Sequence, residues 1–199
     1  LFDHLCESNA VTHNPCDGVK RPNLGSNEGK SPALGDDQAK LLLDAPPEKT
    51  EKGLRDRALL SVLLFHGLRR AELCALAVGD LQSRRGVPHF RVHGKGGKMR
   101  FVPVHPGTLE RISDYLARAG HGDDSKGALF RPVRNPVDGD LEKALTGDAI
   151  FKLVRFYSMK LGLDAKAVCV HGLRATAATN ALDHQADIAK VQEWLGHAN

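Results

Sequence analysis

Two apolar-alternating stretches, Pro88-His-Phe-Arg-Val-His93 and Met99-Arg-Phe-Val-Pro-Val104, flank the cationic loop Gly94-Lys-Gly-Gly-Lys98. Every second side chain of a strand falls on one face, so the alternation predicts two strands joined as a hairpin. Outward from this hairpin the period changes to that of helices. Leu54, Ala58, Leu59, Val62 and Leu63 recur at helical spacing over Glu51 to His66, with Gly67 placed to end that helix. A short helix from Arg70 to Ala77 follows. Asp36 or Asp37 can cap a helix that runs to Leu43 and stops at Pro46-Pro47.

Beyond the hairpin, Pro106 opens a helix over Gly107 to Ala119, and Thr146 caps one through Lys160. Residues 120–145 read as loop with one short strand at Ala128-Leu-Phe130. Helices over about 171–183 and 186–195 complete the chain. Helices, a small antiparallel sheet, then helices make an α+β domain, mostly helical, rather than a βαβ fold. Residues 1–11 show a short helical pattern. Residues 12–35 hold Asn14-Pro15, Arg21-Pro22 and several glycines, the composition of a linker.

The chain has 199 residues, 41% of them hydrophobic and 26% charged, within the range of soluble globular chains. Its longest apolar run, Ala58 to Phe65, is too short to span a bilayer. Four scattered cysteines form no C-x-x-C pair, so neither a disulfide framework nor a cysteine metal site is expected. The sequence opens on Leu1 without an initiator Met, which points to a piece of a longer protein.

The net charge is +4, yet residues 84–105 alone carry +6: Arg84, Arg85, Arg91, Lys95, Lys98 and Arg100, with no acid. Such a segment suits a polyanion. It is not a nucleotide loop, because Gly94-Lys-Gly-Gly-Lys98 departs from the P-loop pattern and leads into a strand. His171-Gly-Leu-Arg174 sets His and Arg three apart at a helix start, where both can reach one anion, a pattern that also suits a purely structural role. Arg69 and Glu72 are spaced likewise, a pattern that also suits a surface ion pair.

The ordered set Gly67-Leu68-Arg69-x-x-Glu72-Leu73, Gly94-Lys95-Gly96, His171-x-x-Arg174 and Leu195-Gly196-His197 resembles the tyrosine recombinases, or phage integrases. The resemblance covers the catalytic domain, 36–199, with 1–15 like the end of a core-binding domain and 16–35 as linker. It implies that Arg69 and Arg174 grip a scissile phosphate. Lys95 would protonate the leaving 5′-oxygen, His171 would handle the nucleophile's proton, and His197 would hydrogen-bond the phosphate. Glu72 would support the site, and Lys98 would be a further phosphate contact; the charge of the segment adds Arg84, Arg85, Arg91 and Arg100 as expected DNA contacts. No cofactor or metal is implied. The partners would be double-stranded DNA and further copies, as a tetramer on DNA, in the cytoplasm of a bacterial host.

One departure stands out. The family's nucleophilic tyrosine falls beyond Leu-Gly-His, past Asn199, and the tyrosines present, Tyr115 and Tyr157, match nothing catalytic. The expected activity is cutting and rejoining DNA through a 3′-phosphotyrosine. Alternatives are a catalytically inactive DNA-binding protein on the same domain and a type IB topoisomerase.

Overall fold

The longest helix sets the frame. In the computed structural model, which describes residues 2–13, 33–94, 97–135, 138–163 and 168–196, the helix Glu51–His66 lies buried along most of its length. The chain divides into two units. The first, Leu1–Lys30, carries the short helix α1, Phe2–Glu7. The second, Ser31–Asn199, carries α2 (Asp36–Asp44), α3 (Glu51–His66), α4 (Arg70–Ala75), β1 (Leu81–Arg84), β2 (Val87–His93) and β3 (Met99–Pro103). It continues through α5 (Pro106–Ala119), α6 (Gly147–Lys160), α7 (Val170–Asp183) and α8 (Ile188–Leu195).

Leu59, Leu60, Val62 and Leu63 of α3 are fully buried, and α5, α7 and α2 pack around it. Thr50 accepts the Gly53 N–H at 3.1 Å and caps its start. Tyr115 and Ile112 of α5, Leu129, Ile150 of α6 and Leu173 of α7 fill the remaining core. The Thr176 hydroxyl of α7 accepts the Leu34 N–H at 2.9 Å, which fastens the start of this unit to its interior.

The fold class and the helices follow the sequence reading, with two differences. The sheet has three strands, ordered β1-β2-β3 and antiparallel throughout. β1 is four residues of mixed polarity, too short for alternation to reveal. It is joined to β2 by a two-residue turn in which Arg85 and Gly86 both take positive φ. The strand expected at Ala128-Leu-Phe130 is reduced to one bridge, Ala77 with Ala128. Phe90, Val92 and Val102 form the sheet's buried face.

His66 ends α3 inside the core, 4% exposed. Its Nε2 accepts the His105 N–H at 3.0 Å, and burial, with His105 nearby, lowers its pKa to about 4. The unfolded chain takes up this proton near pH 6.5. The resulting stability is therefore whole above about pH 6.5 and drains away as pH falls towards 4, by about 3 kcal/mol in all. Urea unfolding measured across that window should show the loss. His66→Gln, which keeps an acceptor for the amide but gains no proton, should flatten it; an unchanged slope in the variant would assign the loss elsewhere.

Candidate active site

Two helix ends build the site. At the end of α3, Gly67 adopts a left-handed conformation (φ 56°), and a Cβ there would lie 2.9 Å from Leu195 and 3.2 Å from the Ala177 side chain. Glycine thus allows the chain to turn tightly against α7 and α8. At the end of α8, Gly196 is also left-handed (φ 62°), and a Cβ there would meet the Arg100 guanidinium at 3.2 Å. Both turns offer a carbonyl to an arginine. Arg174 donates through Nη1 to Gly67 O at 2.5 Å and through Nη2 to Leu195 O. Arg69 donates through Nη2 to Gly196 O at 3.0 Å.

Arg69 stands at the N-cap position of α4, so Glu72, three residues on, reaches back to it. The Glu72 carboxylate accepts the Arg69 N–H at 2.8 Å and Arg69 Nη1 at 2.9 Å. It also accepts both terminal nitrogens of Arg100, each at 2.8 Å. Burial opposes the charge of Glu72, but the bonds from Arg100 and Arg69 outweigh it and hold the pKa down to about 2. One carboxylate therefore stands among three guanidinium groups, which leaves the site strongly cationic. Burial, reinforced by the Arg69 charge, lowers the Arg174 pKa to about 10, so Arg174 is still charged at neutral pH.

Arg69, Arg174 and His171 line one cleft of about 350 Å³, together with Arg70, Phe151 and Cys169. His171 is exposed in the first turn of α7, while Arg174, one turn later, is 8% exposed. The Cys169 thiol caps that helix by accepting the Gly172 N–H at 3.2 Å. The cleft's ionisable lining is basic but for the Cys169 thiol, with helix-start amides beside it, a set of donors and charges that suits an anion. Lys95 and His197 lie outside the described residues.

Residues 32–199 match the phage integrase family. The chain belongs to that family. It is similar to the tyrosine recombinase XerC of Pelobacter propionicus, 35% identical over 201 residues, which covers all of this chain and 62% of that protein. The tyrosine recombinase XerD of Vibrio vulnificus is 31% identical over 202 residues, again across the whole chain and 63% of the relative. This chain thus spans less than two thirds of these relatives' length. Among solved structures, XerA recombinase superposes with a TM-score of 0.68 at 30% identity, covering 84% of this chain and 57% of that one. XerH recombinase bound to its difH substrate, before cleavage, gives 0.65 at 25% identity, covering 84% and 47%.

Within this integrase-family domain the basic segment divides by strand register. Arg91 sits opposite Phe101 and donates to Asp80 at 2.8 Å. Arg84 lies over the Phe101 ring, 3.7 Å from its centre. Arg85 occupies the β1–β2 turn, and Lys98 is exposed near the other hairpin tip. Arg100 falls instead on the face of Val102 and is 14% exposed, turned inward to Glu72. Neither tyrosine lines the cleft. Tyr115 is buried and accepts the Arg131 N–H at 3.2 Å. Tyr157 is 2% exposed and donates to Asp56 at 2.9 Å; burial and the Asp56 charge push its phenol well above the ordinary value.

Sequence reasoning missed Arg70, Phe151 and Cys169 as cleft residues, and the carbonyls of Gly67, Leu195 and Gly196 as supports. In the sequence Gly67 reads as a helix end and Gly196 only as part of its motif. The signal is their position: each lies inside a motif, one or two residues before its histidine or arginine.

Proposed function

We propose that this chain is the catalytic domain of a site-specific DNA recombinase, which cuts and rejoins double-stranded DNA through a 3′-phosphotyrosine intermediate. The observation that carries this reading is the convergence of Arg69, Arg174 and His171 on one basic cleft. A phosphodiester under attack gathers negative charge on its nonbridging oxygens, and fixed guanidinium donors stabilise that charge. Arg174, held by two main-chain carbonyls, is preorganised for this task. Arg69 keeps a 46% exposed side chain while Glu72 steadies it.

In the reaction a tyrosine oxygen attacks phosphorus, the bond to the 5′-oxygen breaks, and that oxygen takes a proton from Lys95. His171 accepts the phenol's proton. The covalent phosphoester conserves the bond for rejoining, when a 5′-hydroxyl attacks and tyrosine leaves. Because Tyr115 and Tyr157 are buried in the core, the nucleophile in this account is a tyrosine outside these 199 residues. Arg84, Arg85 and Lys98 contact DNA backbone, copies assemble as a tetramer on DNA, and the protein works in a bacterial cytoplasm.

DNA affinity should be dominated by phosphate contacts. For this chain on a generic duplex, followed by fluorescence anisotropy, affinity should drop by about 10²-fold between roughly 50 and 200 mM salt. Tight binding indifferent to salt would contradict the reading, and binding without cleavage by the full-length protein would favour an inactive DNA-binding protein.

A further inference from the structure

We propose that Arg100 is a positioning residue, which joins the sheet, Glu72 and the end of α8 into one unit and so sets Arg69 in the cleft. The inference rests on the recombinase reading for its effect on cleavage, but the latch itself is a property of the fold.

All three guanidinium nitrogens of Arg100 are engaged. Nη1 and Nη2 donate to the two oxygens of Glu72, each at 2.8 Å, and Nε donates to the Trp194 carbonyl at 2.8 Å. Glu72 in turn holds Arg69, and Arg69 holds the Gly196 carbonyl at 3.0 Å. The bonds close a ring through β3, α4 and the last turn of α8. Gly196 completes the fit, because a Cβ there would crowd the Arg100 guanidinium at 3.2 Å.

Competition for the carboxylate explains how Arg100 acts on Arg69. Glu72 carries two oxygens, and a lone arginine beside it would take both in the fork geometry that carboxylates favour. Arg100 already has the fork. Arg69 is left with one side-chain bond to Oε1 and keeps its guanidinium at the cleft rather than folded onto Glu72. Without Arg100, Glu72 draws Arg69 inward and α8 loses its tie to the sheet. An arginine so engaged is poorly placed to bind DNA phosphate, the role that the charge of its segment suggests.

Lysine separates the two roles. Its ammonium can neutralise a phosphate, but its three donors radiate from one nitrogen and do not reproduce the planar spread by which Arg100 spans both carboxylate oxygens and the Trp194 carbonyl. In the full-length protein, Arg100→Gln and Arg100→Lys should both slow covalent trapping on a nicked duplex by about 10²-fold, the scale of a misplaced catalytic group. Affinity for uncleaved duplex and its salt dependence should change no more than they do in Arg69→Ala, because Arg69 is the phosphate contact that the loss of Arg100 withdraws. If Arg100→Lys cleaves normally, or Arg100→Gln lowers the salt slope by about one more in an Arg69→Ala background, Arg100 is a phosphate contact and the proposal fails.

A second readout needs no cleavage. Trp194 is the single tryptophan of the 199-residue chain and its carbonyl is an end of the latch. In the 199-residue chain, acrylamide quenching of Trp194 should rise clearly with Arg100→Gln, with Arg100→Lys and with Glu72→Gln, while the far-ultraviolet circular dichroism is unchanged. Unaltered quenching would overturn the latch. Raised quenching with a wild-type protein that traps no DNA would uphold the latch and refute the recombinase reading.

Discussion

Arg174→Ala in the full-length protein should lose covalent trapping of DNA by around 10²-fold or more, the cost of removing a main charge-stabilising donor. The side chain is almost wholly buried, and its guanidinium bridges the Gly67 and Leu195 carbonyls at the floor of the cleft. Truncation therefore removes a fixed positive charge and also frees the two turns that it ties together. Arg174→Lys keeps the charge but cannot reach both carbonyls with a planar fork, so it should recover little. The measurement is single-turnover adduct formation on a nicked duplex, with binding followed separately. Trapping near the wild-type rate in Arg174→Ala would remove Arg174 from the chemistry.

Asp56→Ala should destabilise the domain by about 3 to 5 kcal/mol, because it leaves a buried charge without its partner. The Asp56 side chain is fully buried and accepts Arg55 Nε at 3.0 Å, Arg55 Nη2 at 2.6 Å, Lys52 Nζ at 2.7 Å and the Tyr157 hydroxyl at 2.9 Å. Arg55 also reaches the Arg131 carbonyl at 3.1 Å, so the cluster ties α3 to α6 and to the loop before it. Tyr157→Phe removes one hydrogen bond to a charged acceptor and should cost about 1.5 to 3 kcal/mol. Urea unfolding measures both. Tyr157→Phe should leave covalent trapping by the full-length protein unchanged, as a core tyrosine must.

Helix order and the central hairpin were legible because period and punctuation are local: α3 shows its spacing, its threonine cap and its terminal glycine within one stretch. Strand β1 escaped, since four residues with two half-buried and two exposed positions carry no alternation. The site was legible as motifs but not as a mechanism of support. Charge alone placed Arg100 with the other basic residues of its segment. Register would have separated it, since Arg100 and Val102 share a strand face and Val102 is buried. The partners of Arg174 are backbone carbonyls 107 and 21 residues away, and main-chain acceptors leave no signature in residue types. The buried tie between Tyr157 and Asp56, 101 residues apart, is hidden for the same reason of distance.

The most direct test of the central claim is a denaturing gel of protein incubated with a duplex nicked beside the cleavage point. The full-length protein should give a shifted protein–DNA band, mapped by peptide mass to a tyrosine outside these 199 residues, and the 199-residue chain should give none. A covalent band from the 199-residue chain alone, with DNA attached at Tyr115 or Tyr157, would contradict the account.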